Sequence, residues 1–518
     1  MKLQRDSLEF AIKHIDRERD TDLYPRLFEH RIIASMKDKI VQDLGELDIG
    51  AYQWKPGRRF LIPKTDLSYR IATQLDPIDS IFFAGLIRQF GHLIEKKRRP
   101  ISEKTVFSYR FLPTADGLLY DNATSWNDFW QYACLEAEKY RYVARLDISD
   151  FYNQIYHHTI ENQLIECAFP NEVTNSIMQM LKGTTQNMSR GIPIGPHTTH
   201  LLAEATLSPL DNYFADMRYH YCRYVDDIII FFNCETDARI AIYKTANQLD
   251  AQQRLVLQKS KTKIEKKDVF IRYASKLYFE EPEKAVEKTV LSIINKYSNN
   301  NPYKSIDEEE LEEEEKEWFD EKNLANVIEE YLGDEDVNYS RIRWLYRRLA
   351  QIGIPTLVEY SIRKIEQLIP ALSDICLYLL ASAEKPLPNS EDIGKMIIDL
   401  MDTPIMKSNE FFRLSLLSVF EHSKSLNNLH LLFEKYDSSS NTIKRIIILA
   451  AYANGSIGWI RELKEKALSY DKWTLRSCIV AFSLLPKDER KVILKNITRS
   501  LTNEDRLEKY LIEWSKSQ

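Results

Sequence analysis

Cysteine is scarce in this sequence, and its cysteines are not paired. Six cysteines in 518 residues lie far apart with no Cys-x-x-Cys pair: Cys134, Cys167, Cys222, Cys234, Cys376 and Cys478. This spacing argues against a disulfide framework or a zinc site and is typical of reduced thiols. We therefore expect a cytoplasmic protein.

Long apolar runs and an excess of positive charge are also lacking. No uninterrupted apolar stretch is long enough to span a bilayer, and residues 1–6 contain no apolar signal core. We therefore expect neither membrane insertion nor secretion. The net charge is −6, with basic clusters early in the chain and an acidic run in its middle. Charge alone thus does not predict strong non-specific binding to nucleic acid.

The composition is that of a globular protein with more than one domain. The mass of 60.9 kDa is too large for one compact core, and 44% hydrophobic with 29% charged residues is ordinary for a soluble fold. The patterns predict an α+β domain over residues 1–290, an acidic linker or helix over 291–340, and an all-α domain over 341–518. For the last part we favour degenerate helical repeats of HEAT type over a single bundle.

Two adjacent carboxylates interrupt an apolar segment in the middle of the chain. Residues 221–232 read Tyr-Cys-Arg-Tyr-Val-Asp-Asp-Ile-Ile-Ile-Phe-Phe, with the acids at Asp226 and Asp227. The flanks predict a hairpin with both acids at its bend. Burying two carboxylates is costly unless a cation compensates them, and a rigid carboxylate pair suits divalent ions in phosphoryl transfer. The alternative is an ordinary turn, where Asp is common.

Two further elements could join this hairpin. Residues 140–152 predict a strand that ends in Asp147 and a helix that starts near Ser149, so this third acid either completes a metal site or caps the helix. A loop with Gly191, Pro193 and Gly195 runs into a helix. Its glycines let the backbone approach a ligand closely, although such a loop is also found in ordinary turns.

A basic segment and several strands complete the local predictions. Residues 55–70 predict a short hairpin whose Lys64 and Arg70 are suited to binding phosphates, and the alternative is a solvated charged loop. β-branched and aromatic runs predict strands at 106–111, 269–273 and 276–279.

The order of these elements resembles motifs A, B and C of reverse transcriptases. Arg-Leu-Asp-Ile-Ser-Asp-Phe-Tyr152 is similar to motif A, the glycine loop to motif B, and Tyr-Val-Asp-Asp227 to motif C. Ile62-Pro-Lys64 with Arg70 resembles the fingers motif, and Lys261-Thr262 resembles motif D. The likeness spans roughly residues 55–280.

The sequence also departs from that family. Arg190 and Glu204 stand where the family usually has Gln and Asn near motif B, which puts ordinary templated copying in doubt. No recognisable thumb follows Phe279. This architecture is similar to the bacterial abortive-infection reverse transcriptases of the AbiK group. That resemblance implies fingers and a palm followed by a helical-repeat domain in place of the thumb.

The resemblance also implies a function. The chain is expected to be a nucleotidyltransferase that makes DNA from dNTPs without a template, primed by a protein hydroxyl, in defence against phage. The implied partners are dNTPs, a single-stranded DNA product attached to the protein, and further copies of the chain. One alternative is an RNA-templated reverse transcriptase of the retron or group II kind. Another is an inactive palm that serves as a binding scaffold.

Roles for individual residues follow from the same resemblance. Asp147, Asp226 and the Ile148 carbonyl are expected to bind two Mg²⁺ ions, with Mn²⁺ as the alternative, while Asp227 tunes the pair. Lys261 is expected to protonate the leaving pyrophosphate. The expected dNTP contacts are Lys64, Arg70, Tyr152, Gly191, Pro193 and Gly195, with Tyr152 excluding a 2′-hydroxyl. Tyr24, and after it Tyr52, are the candidate priming residues, and the alternative for each is a packed aromatic side chain.

Overall fold

The protein divides into two compact units. The computed structural model describes residues 1–18, 23–121, 125–279, 284–298, 304–335, 337–385 and 389–518. The first unit comprises Met1–Asp22, Arg26–Arg59 and Ala72–Glu281, and the second comprises Leu23–Pro25, Phe60–Ile71 and Pro282–Gln518. The boundaries predicted at residues 290 and 340 stay predictions.

The first unit is mainly helical, with a small sheet. Its helices are α1 (Arg5–Glu18), α2 (Phe28–Ser35), α3 (Lys37–Gly45), α4 (Pro77–Glu95), α5 (Trp126–Ala137), α6 (Phe151–Gln154), α7 (His157–Glu166), α8 (Asn171–Thr184), α9 (Thr199–Asp216), α10 (Glu235–Gln253) and α11 (Lys267–Phe279). The start of α4 shows how local chemistry fixes a helix end. Asp76 accepts a hydrogen bond from the Ile78 amide at 3.1 Å, and Pro77 occupies the first helical turn, where its missing N–H costs nothing.

The sheet of this unit is antiparallel and covered on both faces. Its strand order is β4 (His220–Tyr224), β5 (Asp227–Phe232), β3 (Tyr142–Leu146) and β6 (Lys263–Lys266). Ile229 and Phe231 of β5 pack in one apolar cluster with residues of α5 and α11, while α10 also contacts β3 and β5. Burial on both faces explains why β5 reads as an unbroken apolar run.

Strands β1 (Arg58–Pro63) and β2 (Tyr69–Gln74) pair as a separate ribbon. The boundary between the two units falls inside each of these strands, since 60–71 belongs to the second unit.

Three strand predictions, at 106–111, 269–273 and 276–279, were wrong. Residues 269–273 and 276–279 lie in helix α11, whose buried Phe270 and Ala274 are spaced one helical turn apart and pack on α5. Tertiary packing of that helical face outweighs the β-propensity of the segment. Residues 106–111 form only isolated bridges, because the backbone turns at Tyr109, where φ is 44°.

The second unit is helical wherever its long C-terminal part is described. Its helices are α12 (Ala285–Ser298), α13 (Glu313–Lys316), α14 (Glu321–Leu332), α15 (Tyr339–Ile352), α16 (Val358–Arg363), α17 (Leu372–Ala383), α18 (Ser390–Leu400), α19 (Pro404–Ser408), α20 (Glu410–Leu417), α21 (Leu429–Tyr436), α22 (Asn441–Ala453), α23 (Ile457–Glu462), α24 (Lys472–Ala481), α25 (Lys487–Ser500) and α26 (Arg506–Ser517). Helices α15, α17, α20, α22, α24 and α26 each pack against the next in that series. The assignment to HEAT repeats stays a prediction.

The acidic run is partly neutralised inside this unit. Lys296 of α12 forms ion pairs with Glu312 at 2.9 Å and Glu315 at 2.8 Å. These pairs are exposed to solvent, so each contributes little to stability.

Among the helices of the described ranges, none is both long enough and apolar enough to cross a bilayer. The six cysteines, all within those ranges, are free thiols.

Candidate active site

The paired acids lie at the tip of the β4–β5 hairpin. The strand register pairs Tyr224 with Asp227, so Val225 and Asp226 form the two-residue turn. The prediction that both acids occupy the bend was therefore wrong by one residue, since Asp227 is the first residue of β5. Val225 has a φ of 54°, which is a strained conformation for a β-branched residue. The turn thus stores local strain beside Asp226.

Asp147 lies at the end of the neighbouring strand. Leu146 of β3 pairs with Ile228 of β5, so the register carried one residue further brings Asp147 beside Asp227. The Asp147 carbonyl accepts a hydrogen bond from the Gln258 amide at 2.8 Å. Ile148 is buried and forms a bridge with Leu257. These contacts on both sides of the acid hold it on rigid backbone.

The three acids repel one another electrostatically. Burial, followed by the charges of Asp227 and Asp147, raises the pKa of Asp226 from 3.8 to about 7. Burial and the charge of Asp147 likewise raise the pKa of Asp227 to about 6. The raised pKa values thus reflect burial first and, after it, negative charge that the surrounding protein does not fully compensate.

Lys261 supplies the positive charge nearest to Asp147. Its Nζ donates a hydrogen bond to Asp147 Oδ2 at 2.7 Å. Burial lowers the pKa of Lys261, but this hydrogen bond and the charges of the three acids raise it by more. The lysine therefore stays charged and occupies one oxygen of the carboxylate.

A divalent cation fits this donor set chemically. Carboxylate oxygens are the ligands that Mg²⁺ and Mn²⁺ prefer, and a bound cation would lower the raised pKa values of both hairpin acids. Within the described ranges, no three His, Cys, Asp or Glu side chains are already arranged around a common ion position. The metal site formed by Asp147, Asp226 and the Ile148 carbonyl stays a prediction.

The glycine loop is held against the backbone next to Tyr152. The Ile192 amide donates to the Tyr152 carbonyl at 2.9 Å, and the Gly191 amide donates to the Ile155 carbonyl at 2.8 Å. Gly191 and Gly195 have φ values of 93° and 138°, which other residues rarely adopt. Pro193 between them is buried.

Tyr152 belongs to an aromatic cluster that the sequence did not reveal. Its hydroxyl hydrogen-bonds to Nδ1 of His200 at 2.6 Å, and His200 stacks on Tyr109 with ring centroids 3.9 Å apart. Burial lowers the pKa of His200 well below its ordinary value, so the ring is neutral. The pKa of Tyr152 is raised by burial and by neighbouring acidic groups that include Asp226. Tyr152 is therefore a fixed, uncharged ring near the acids.

Glu204 is the second feature that sequence reasoning missed. In the sequence it is only a departure from the motif, whereas in the structure it is fully buried between two arginines. Its Oε2 accepts from Arg98 at 2.8 Å and from Arg223 at 2.9 Å. Burial raises the pKa of Glu204, but the two arginines lower it by more, so the net direction is down. Its partners are distant in sequence, so no local signal could have identified them.

Lys64 and Arg70 lie in the part of the β1–β2 ribbon that belongs to the second unit. Lys64 is exposed, and its carbonyl accepts from Nη2 of Arg343 at 2.6 Å. Tyr339 of α15 hydrogen-bonds to Asp66 at the tip of the same ribbon. The predicted triphosphate contacts of Lys64 and Arg70 stay predictions.

The candidate priming residues are both buried aromatics. Tyr24 is 7% exposed, and its ring packs edge-on against Phe60 at 5.5 Å. Tyr52 stacks on Phe82 at 3.7 Å, and its hydroxyl donates to Asp79 at 2.6 Å. Priming from either residue stays a prediction and requires the hydroxyl to leave this packing.

Comparison with known families finds one segment of the chain that matches. Residues 86–291 match the family described as reverse transcriptase (RNA-dependent DNA polymerase). This segment includes Asp147, the glycine loop, the hairpin acids and Lys261, whereas Lys64 and Arg70 lie outside it. This segment, which is less than half of the chain, is thus similar to reverse transcriptases. The comparison with curated proteins finds no match.

Telomerase structures are similar to the chain at low identity. The apo telomerase of Candida tropicalis is 8% identical over 93% of this chain and 74% of that chain, with a TM-score of 0.33. The C. tropicalis telomerase in complex with the TWJ fragment of telomeric RNA is 11% identical over 74% of this chain and 68% of that chain, with a TM-score of 0.32. The C. albicans telomerase in complex with the TWJ fragment of telomeric RNA is 9% identical over 80% of this chain and 70% of that chain, with a TM-score of 0.29. Scores this low carry no argument about function.

Proposed function

We propose that the chain is a metal-dependent nucleotidyltransferase that joins deoxynucleotides to a hydroxyl group. The match of residues 86–291 to reverse transcriptases supports polymerase activity in general, and one observation on this chain supports it in particular. Asp147, Asp226 and Asp227 lie at adjacent strand ends, and burial together with their mutual repulsion raises the pKa values of both hairpin acids. A scaffold has no need of such a destabilising cluster, which argues against the inactive-palm alternative.

The metal ligands in this proposal are Asp147, Asp226 and the Ile148 carbonyl. Two Mg²⁺ or Mn²⁺ ions held there would polarise the attacking hydroxyl and neutralise charge on the triphosphate and the departing pyrophosphate. Asp227 is not a metal ligand in this proposal and tunes the two ions through its negative charge. Lys261 pairs with Asp147. In this proposal it exchanges that carboxylate for the pyrophosphate and gives the leaving group its proton.

Tyr152 is the proposed selector of the sugar. Its ring packs edge-on against His200, with ring centroids 5.7 Å apart, and its hydroxyl hydrogen-bonds to the same histidine. Tyr109 stacks on His200 in turn. A ring fixed in this way cannot move aside for a 2′-hydroxyl, so the site would select deoxynucleotides. Backbone groups of the loop from Gly191 to Gly195 would approach the nucleotide. Lys64 and Arg70 are proposed to bind its phosphates.

The proposal also covers whether the enzyme copies a template and which group primes synthesis. The likeness to abortive-infection enzymes of the AbiK group supports untemplated synthesis from a tyrosine hydroxyl, in Tyr24 or Tyr52. The buried pairing of Glu204 with Arg98 and Arg223 is consistent with that reading, since this side chain is committed to the protein interior. A role in defence and assembly into homo-oligomers belong to the same proposal.

One experiment separates the candidate functions. Purified protein is incubated with Mg²⁺ and labelled dNTPs, first with no nucleic acid and then with an RNA template annealed to a DNA primer. The proposal predicts label that comigrates with the protein in the first reaction and is abolished by EDTA. Product only in the second reaction would favour a conventional templated enzyme.

The controls use the same preparation. The Asp226→Asn variant should incorporate no label, and equal labelling by this variant would exclude the proposed site. Peptide mass spectrometry of the labelled protein identifies the primed residue, and an adduct on any residue other than Tyr24 or Tyr52 would overturn that assignment. Light scattering after size exclusion measures the number of chains. Phage plating on cells that express the unmodified protein or Asp226→Asn tests the defence role.

A further inference from the structure

A buried network of charged side chains contacts the turn of the β4–β5 hairpin and takes no part in the proposed reaction. It contains Arg98, Glu204, Arg223 and Asp211, all almost fully buried, together with Ser108 at its centre. Arg223 binds Asp211 through two hydrogen bonds, from Nε at 2.7 Å and from Nη2 at 2.6 Å. The two arginines and two acids balance in charge, so the network can persist in the interior.

Ser108 connects this network to the turn. Its Oγ accepts a hydrogen bond from the Val225 amide at 2.8 Å and donates one to Glu204. Arg223 donates to the Val225 carbonyl at 3.3 Å. Both backbone groups of Val225 are therefore bonded to network side chains.

Val225 is the residue that needs such support. Its φ of 54° is unfavourable for a β-branched side chain, and the peptide that follows it carries Asp226. A strained residue persists only where surrounding contacts over-determine its conformation. Without them the turn would relax and Asp226 would lose its fixed direction.

The same network supports the aromatic cluster. Arg98 donates from Nη1 to the Tyr109 carbonyl and from Nη2 to the Ser108 carbonyl, both at 2.7 Å. Tyr109 is the ring on which His200 stacks. The same buried charges therefore anchor the backbone next to Asp226 and the backbone of Tyr109, whose ring contacts the histidine that binds Tyr152.

We infer that Ser108, oriented by Glu204, is a positioning residue that holds the Val225 peptide in its left-handed conformation and so fixes Asp226 for metal binding. This inference rests on the proposed function, because it assigns metal binding to Asp226. The alternative is a purely structural role, in which the network contributes to folding stability without affecting metal binding. Positioning groups behind metal ligands typically change metal affinity by 10- to 100-fold when they are removed.

The test compares Ser108→Ala with a matched control, Ser176→Ala. Ser176 is also buried in the first unit and also accepts a hydrogen bond, from Trp54 at 3.1 Å, but it lies outside the network. Hydrogen exchange followed by mass spectrometry reads the backbone amides around the turn without any metal. Titration with Mn²⁺ alone, followed calorimetrically, measures ion affinity.

We expect Ser108→Ala to increase exchange in peptides that cover Val225 and to weaken Mn²⁺ binding by about tenfold or more. Ser176→Ala should change neither, and Ser108→Thr, which keeps the hydroxyl, should restore both. Equal effects of the two alanine variants would overturn the inference, as would faster exchange with unchanged Mn²⁺ affinity. If the unmodified protein binds no Mn²⁺, the proposed function fails, and the exchange data alone decide whether Ser108 holds the turn.

Discussion

Asp226→Asn should make the metal-free protein more stable while it removes activity. The folded-state pKa of Asp226 is about 7, compared with an ordinary value of 3.8, because burial and two neighbouring acids oppose its charge. A difference of about three pH units corresponds to about 4 kcal/mol, at roughly 1.4 kcal/mol per unit. Asp226 is half-buried and the repulsion is shared with its neighbours, so we expect about 2 kcal/mol on replacement.

The sign of this effect depends on pH. Between pH 3.8 and about 7 the folded protein binds more protons at Asp226 than the unfolded chain does, so its stability falls as pH rises. Below pH 3.8 the carboxyl is neutral in both states, and Asn gives no advantage. The gain from Asp226→Asn should therefore grow from near zero at about pH 4 to its full value above pH 7.

Thermal unfolding in EDTA at pH 4.5 and at pH 8.0 measures this gain. A stabilisation of ~2 kcal/mol raises the midpoint by about 4 °C for a unit of this size. Asp237→Asn, at an exposed position in the first turn of α10, is the control for loss of one acidic charge. It should lower the midpoint slightly, because this acid interacts favourably with the helix dipole. A lower midpoint for Asp226→Asn at pH 8.0, or a gain that is equal at both pH values, would refute the repulsive cluster.

Three further predictions concern the proposed reaction. Binding of Mg²⁺ should tighten as pH rises from about 6 to about 8, because Asp226 and Asp227, with pKa values of about 7 and about 6, must lose their protons first. Equal Mg²⁺ affinity across this pH range would contradict their role as charged groups at the metal. Tyr152→Ala should admit ribonucleotides, whereas Tyr152→Phe keeps the ring and should still exclude them despite losing the bond to His200; incorporation of labelled ribonucleotides distinguishes these outcomes. The Lys261→Met variant should bind Mg²⁺ more tightly, because Asp147 loses its partner, and should catalyse the reaction more slowly. Calorimetry and rate measurements on the same sample check both effects, and faster catalysis would exclude proton donation by Lys261.

The site and the fold differed in how far the sequence could predict them. Asp147, the glycine loop and the hairpin acids were recognisable because each is a local pattern of residue types, and the antiparallel register then brings Asp147 beside Asp227. The strand predicted at 269–273 failed because β-propensity is a weak local preference. Packing of Phe270 and Ala274 against α5 outweighs it.

By itself, then, the sequence determined the chemistry: which acids, which ring and which lysine are available, and in what order along the chain. Only the tertiary structure decided how they are held. The strained turn at Val225, the ion pair of Lys261 with Asp147 and the burial of Glu204 between two arginines all join residues distant in sequence or depend on such contacts. Local periodicity carries no information about these pairings, because their energies arise from burial and charge in the assembled interior.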